Sequence, residues 1–277
     1  MVNLVDRDTT LCISLAARPS NHGVRFHNWL YAQLGLNYFY KSIAPEDITA
    51  AVVGIRGLGI RGAGVSMPYK QEVIPLLDSL DPSAERLESV NTIVNEGGHL
   101  TGYNTDYLAV KSLVETHRID PALPVALRGS GGMASAVATA LSDAGFHGTI
   151  VARNHLTGTR LASRLGWEYS TEVPGEAAFL VNVTPLGMRG PEESTQAFSD
   201  ADLAHAQAVC DAVAMPVTTP LICRSRTLGL PVIHGGEIIA LQAAEQFALY
   251  TGITPTPAQV RAAEEYAASQ EALDATA

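Results

Sequence analysis

Short apolar, β-branched runs alternate along this chain with longer segments whose apolar residues recur at helical spacing, the pattern of an α/β protein built on parallel strands. In the first half, LCISLA (11–16) reads as a strand, Phe26 to Leu34 as an amphipathic helix ended by Gly35, and NYFYKSI (37–43) as the next strand. EDITAAVVGIRGL (46–58) then reads as a helix and GAGVSM (62–67) as a third strand. Pro68 suits the opening turn of a further helix, so Lys70 is expected near a helix N-terminus, just past the carboxyl edge of that strand.

A break at Asp120 to Pro124 separates the helix YLAVKSLVETH, with Asp106 placed as its cap, from a second pattern. There VALRG, SGG, MASAVATALSDAG and TIVARN give strand, glycine-rich turn, helix and strand, the context that makes a glycine motif a dinucleotide-binding candidate. Gly129, Gly131 and Ala134 hold the G-x-G-x-x-A places: one for the tight turn, one for close approach of a pyrophosphate, one for helix packing. Gly132 and Met133 open the helix whose free N–H groups would face that phosphate. The next strand ends in Arg153 and Asn154 with no acid, which favours a 2′-phosphate and hence NADP over NAD. AAFLVNV and AVCDAV read as buried parallel strands, and GGEIIALQAAEQFALYTG as a closing helix.

Composition narrows the partners. The chain has 277 residues, 47% apolar and 17% charged, enough for one or two domains with their own cores. It has no apolar stretch of the roughly 18 residues a membrane helix needs. The first residues carry acids and lack the basic-then-apolar pattern of a signal peptide, so the cytoplasm is the expected compartment. Cys12, Cys210 and Cys223 show no metal-type spacing, and His22 and His27 have no acid cluster beside them; neither disulfide nor metal is expected. A net charge of −10 disfavours nucleic acid and anionic membranes and leaves a small molecule as the expected ligand.

The chemistry concentrates in VSMPYK ending at Lys70, SVNT at 89–92, and GYNTD ending at Asp106. Lys70 and Asp106 are the chargeable groups, and Asn91, Thr92, Asn104 and Thr105 surround them with neutral donors and acceptors. That composition suits a polyhydroxylated substrate that exchanges a proton.

These motifs, followed in order by RGSGGMA, NVTPLGM (182–188) and IIALQAAEQF, resemble those of the shikimate/quinate dehydrogenase family, in its shikimate dehydrogenase-like subgroup. The resemblance implies an N-terminal three-layer α/β substrate domain over residues 1–105, completed by C-terminal helices that return over 238–277. It implies a Rossmann-type NADP domain over 106–237. The activity implied is NADP-dependent, reversible hydride transfer between shikimate, or a close cyclitol carboxylate, and its 3-dehydro form, a step of aromatic amino acid biosynthesis, by a monomer or homodimer. Lys70 and Asp106 would handle the alcohol proton, and Asn21, Gly23, Ser66, Asn91, Asn104 and Gln242 would contact substrate. Asn182, Thr184, Met188 and Gly235 would join the glycine turn, Arg153 and Asn154 around the cofactor.

The chain departs from the family pattern at the substrate's carboxylate end. Asn21 and Gly23 stand where two serines grip the ring carboxylate, and losing a hydrogen bond to a charged group costs about 1.5–3 kcal/mol. Ser20, His22, Arg18 or Arg25 would have to compensate. Ala214 replaces a substrate-contacting Tyr, Thr157 a second arginine of the cofactor clamp, and Ser66 a Thr whose hydroxyl it keeps. A quinate-preferring NAD(P) dehydrogenase and a catalytically weak NADP-binding regulatory module stay open as alternatives.

Overall fold

Alternation along β1 (Thr10–Leu15) gives one sheet two buried faces. Cys12 joins a core with Phe26, Leu30 and Tyr31 of α1 (His22–Gln33) and Tyr40 of β2 (Tyr38–Ile43). Ile13 and Leu15 join Val52 and Ile55 of α2 (Ile48–Gly57) and Ala63 and Val65 of β3 (Gly62–Val65) on the other face. Helices on both faces make this unit three-layered. Asp47 starts α2 by accepting from the N–H groups of Thr49 and Ala50. The computed structural model from which these contacts are taken describes residues 5–274. Among them no helix is long and apolar enough to cross a membrane.

The sheet continues through β4 (Ser79–Leu80), the short α3 (Pro82–Glu85), β5 (Thr92–Glu96) and β6 (His99–Tyr103), in the order β2-β1-β3-β5-β6-β4. It is mixed rather than parallel throughout. β5 pairs antiparallel with both β3 and β6; for β6 the cause is the two-residue Gly97–Gly98 connection, which closes a hairpin and leaves no length for a crossover. The helix expected after β3 is also absent: residues 68–73 form turns and Ile74–Leu76 a single 3₁₀ turn. An α-helix begun at Pro68 would need Pro75 to donate an N–H to the carbonyl of Gln71, and proline has none to give. Lys70 therefore lies in a turn, after a cis Met67–Pro68 peptide.

Contacts divide the chain into two units, one running to Thr105 and resuming at Ala240, the other Asp106–Ile239. The second begins with most of α4 (Thr105–Thr116). It then alternates β7 (Val125–Arg128), α5 (Gly132–Asp143), β8 (Gly148–Val151), α6 (His155–Leu165) and β9 (Glu168–Ser170). β10 (Phe179–Asn182), α7 (Asp200–Leu203), β11 (Ala208–Asp211), α8 (Pro220–Thr227) and β12 (Val232–His234) follow. All pairs are parallel and the order is β12-β11-β10-β7-β8-β9, the doubly wound Rossmann arrangement whose switch point falls between β7 and β10. Ala126, Leu180 and Val209 cover one face with Phe198, Leu203 and Leu221, so these strands read as continuous apolar runs.

The helix α9 (Gly235–Thr251) contributes its residues from Ala240 onward to the first unit, as does α10 (Pro257–Asp274). Ala243, Ala244, Phe247 and Tyr250 enter the core of α1 and β2. Arg61 secures the end of α9: its guanidinium donates to the carbonyls of Tyr250 (2.9 Å), Leu249 (3.2 Å) and, on β5, Asn95 (2.9 Å). A cation there answers both the orphan carbonyls and the negative end of the helix dipole. His27 is buried in the same core, stacked on Tyr40 at 4.3 Å between ring centroids, and desolvation pushes its pKa down to about 3.

Replacing Arg61 with Met should lower unfolding free energy by about 2–4 kcal/mol, since three bonds from a charged donor are lost and the carbonyls are left behind; urea denaturation showing a change under about 0.5 kcal/mol would remove Arg61 from this role. For His27 the sign is that of a depressed folded pKa: its stability contribution is complete above the unfolded value of 6.5 and declines as pH falls below it toward about 3. Unfolding free energy should therefore drop by up to about 1.4 kcal/mol per pH unit below about 6 on account of this residue, and His27→Gln should remove that slope. An identical acid limb in the two proteins would show that His27 is not buried in its neutral form.

Candidate functional site

Three backbone hydrogen bonds gather the polar motifs at one edge of the first sheet. The N–H of Val65 donates to the carbonyl of Asn91 (2.7 Å), that of Val90 to Lys70 (2.8 Å), and that of Asn91 to Tyr103 (3.0 Å). The end of β3, the start of β5 and the end of β6 thus meet, a consequence of the antiparallel register that sets Thr92 beside Gly64 and Tyr103. Lys70 is half-buried and Ser66 exposed.

Asn91 is 1% exposed, and its Oδ1 accepts from Thr92 Oγ1 (2.9 Å), the Thr105 N–H (2.8 Å) and Thr105 Oγ1 (3.1 Å). A backbone N–H can only donate, so the amide oxygen is fixed there, and Nδ2 is the buried group left without a partner. Asn104, also buried, donates from Nδ2 to the Ser89 carbonyl (2.9 Å), and its N–H donates to Ser83 Oγ (3.1 Å). Asp106 is not the helix cap. It lies in the first turn of α4, 4% exposed, because Asn91 Oδ1 reaches over from the sheet to satisfy the N–H of Thr105 at the helix start.

Gln242 is half-buried, and one turn on lies Gln246, which the sequence reading did not single out. Gln246 is 6% exposed and donates from Nε2 to Thr92 Oγ1 (2.9 Å) and to the Asn91 carbonyl (3.2 Å). The available signal was its place four residues after Gln242, on one helical face of an otherwise apolar run. Asn21 is exposed at the start of α1 with its side chain making no cap bond. Gly23, in the first turn, faces the ring of Tyr40. His22 Nε2 lies 3.0 Å from a carboxylate oxygen of Glu264 on α10. Arg18 is exposed.

In the second unit, a cleft of about 520 Å³ opens at the carboxyl ends of β7, β8 and β10. Its walls include the turn Gly129–Gly131, Arg153, Asn154 and Thr184. Gly129 has φ +131°, and a Cβ there would stand 2.9 Å from the Val183 side chain, so the turn passes with backbone alone. Gly131 precedes the first helical residue Gly132, Met133 lies in the first turn, and Ala134 is fully buried. Asn154 caps α6 by accepting from the Thr157 N–H (3.2 Å), and Thr157 Oγ1 in turn bonds Ser130 Oγ (2.7 Å), tying the glycine turn to the start of α6. Arg153 is exposed. This set fits a dinucleotide: a turn without Cβ atoms, free N–H groups at a helix start, and a cation after the second strand.

Asn182 is fully buried and works through Thr184. Its Oδ1 accepts from the Thr184 N–H (3.1 Å) and Oγ1 (2.6 Å), and its Nδ2 donates to the Leu186 carbonyl (3.2 Å) and Asp211 Oδ1 (2.9 Å). Asp211, absent from the sequence reading, also accepts from Thr219 Oγ1 (2.6 Å) and the Val213 N–H (3.1 Å); burial pushes its pKa up despite these donors. Met188 is 43% exposed and lies outside the residues lining the cleft. Gly235 opens α9 against the Val213 carbonyl, where a Cβ would come within 2.3 Å. Among the described residues, no group of three or more His, Cys, Asp or Glu is placed to hold a metal.

Residues 21–93 match the family model of the shikimate dehydrogenase substrate binding domain. The chain is 46% identical over 267 residues to a shikimate dehydrogenase-like protein of Haemophilus influenzae, covering 95% of this chain and 98% of that one. It is 36% identical over 278 residues to the shikimate dehydrogenase (NADP(+)) of Rubrobacter xylanophilus, covering 94% and 96%. Among solved structures, shikimate 5-dehydrogenase of Thermus thermophilus in complex with NADP(H) and shikimate superimposes with a TM-score of 0.82 at 28% identity, over 94% of this chain and 99% of that one. The likeness therefore spans both units and the motifs that the first sheet and the glycine turn bring together: the chain belongs to the shikimate dehydrogenase family.

Proposed function

We propose that this protein is an NADP-dependent oxidoreductase that interconverts shikimate, or a close cyclitol carboxylate, and its 3-dehydro form. The observation that carries the reading is the knitting of the Lys70, Asn91 and Asn104–Thr105 segments by buried hydrogen bonds at one sheet edge, with Asp106 next in the chain. The names of the relatives support the substrate and cofactor class.

The nicotinamide, when bound, takes or returns the hydride, which leaves the alcohol proton to the protein. Lys70 and Asp106 carry it between them as a coupled pair, and the Lys70 ammonium also draws the substrate hydroxyls toward it. Asn91 Nδ2, held by three donors on its oxygen and itself without a partner, offers a directed N–H to a hydroxyl. Asn104 and Gln242 complete the hydroxyl contacts, and the unused amide of Asn21 takes the carboxylate end. Ser66 supplies a further hydroxyl at the site's exposed rim. On the nucleotide side, the N–H groups after Gly131 receive the pyrophosphate and Arg153 the 2′-phosphate, with Thr184 held against the cleft by Asn182.

Lys70→Met should cut kcat on shikimate by about a hundredfold or more while leaving the Kd for NADP, read by calorimetry, within about twofold. Parallel collapse of both would take Lys70 out of the proton-handling role. Arg153→Ala should raise KM for NADP about tenfold and leave that for NAD nearly unchanged, closing the gap between the two cofactors. An equal rise for both would mean that Arg153 does not read the 2′-phosphate.

A further inference from the structure

Arg128 is an unusual residue for its place. It ends β7, directly before the first glycine of the turn, in a strand otherwise made of Val125, Ala126 and Leu127. Its side chain shares the face of Ala126, and its guanidinium carbon lies 5.1 Å from the centre of the fully buried Phe198 ring. Phe198 thus covers one side of the cation, a favourable contact for a guanidinium. The rest opens on the cleft, whose wall Arg128 shares with Ser130, Arg153, Thr184, Leu186 and Glu192.

The charge has no internal answer. Nε is buried without a hydrogen-bond partner. Desolvation lowers the pKa, and Asp202, the acid that opposes this, forms no ion pair with it; its carboxylate is engaged by the Ser199 N–H and hydroxyl at 2.7 Å. Glu192, across the rim, accepts from Thr195 Oγ1 (3.0 Å). A half-buried arginine kept without a carboxylate carries a cost that an anion entering the cleft would relieve. Register sets Arg128 beside Val151 at the end of β8, two residues before Arg153, so the two arginines stand at neighbouring strand ends and both line the cleft.

We infer that Arg128 is the second cation of the cofactor cleft, acting with Arg153 on the phosphate of a 2′-phosphorylated adenosine and filling the charge that Thr157 cannot supply. The Thr157 hydroxyl is engaged with Ser130 instead. The inference rests on the NADP reading above and adds a residue that determines the choice between phosphorylated and unphosphorylated cofactor.

The test is calorimetric titration of the full chain at low salt with 2′,5′-ADP and with 5′-AMP, which needs no turnover. Arg128→Met should weaken 2′,5′-ADP about tenfold or more and 5′-AMP less than about twofold. Arg128→Lys, which keeps the charge and loses the fork, should fall between wild type and Met and serves alone if the Met variant does not fold. Equal losses for both nucleotides would assign Arg128 to the base or to packing, and unchanged affinities with a lowered Tm to packing only; either overturns the inference and leaves the NADP reading intact. Wild-type protein that binds neither nucleotide overturns both.

Discussion

A single buried amide oxygen, Oδ1 of Asn91, holds one polar edge of the first unit together. Two hydroxyls and one backbone N–H converge on it, from Thr92 on β5 and from Thr105 at the start of α4. Thr92 Oγ1 passes the constraint on by accepting from Gln246, whose Nε2 also reaches the Asn91 carbonyl. A sheet strand, a helix start and the returning part of α9 are thereby fixed by one polar chain inside an apolar setting. Such a network is worth having only when fully satisfied, because each orphaned member costs the desolvation of a polar group. Its one open donor is the buried Nδ2 of Asn91.

The second unit uses the same device for a different purpose. Asp211 and Asn182 stand at the ends of neighbouring parallel strands, where a turn must leave the sheet with its carbonyls and N–H groups satisfied. Burial raises the carboxyl's pKa, and four donors around the pair hold the loops after β10 and β11 in place. Thr184 reaches the cleft through this support. The polar side-chain atoms of Asn182 are all engaged internally, so its influence on the cleft runs through the loop it shapes.

Much of this was legible in the chain. The strands with two buried faces announced themselves as apolar runs, and the glycine turn between VALR and the Ala-rich helix could be read because a strand, a turn and a helix stood in the right order. The failures have physical causes. Pro68 suggested a helix that Pro75, seven residues on, forbids through its missing i−4 bond, and the Gly97–Gly98 hairpin sets β6 antiparallel to β5 where a parallel strand was expected. Asp106 looked like a cap because a cap from a distant strand leaves no local sequence mark; Asn91 supplies it from fourteen residues away. Asp211 left no local mark for the same reason, since Asn182 lies across strands, and Gln246 showed only its spacing from Gln242, with its partners Asn91 and Thr92 far along the chain.

The location of the departures from the family pattern follows from these costs. Exchanging Asn91 would strand three buried donors at once, whereas Asn21 stands exposed before α1 with no bond from its side chain to any helix N–H. Gly23 and Arg18 are on the same first-turn approach, Arg18 exposed and Gly23 beside the Tyr40 ring. Change in a surface loop costs little stability, so the start of α1 is free to carry an amide and nearby cations without disturbing the buried hydrogen bonds around Asn91. The exposed helix start and the buried hydrogen-bond frame are thus separable in this fold: the first tolerates exchange at little cost, and the second does not.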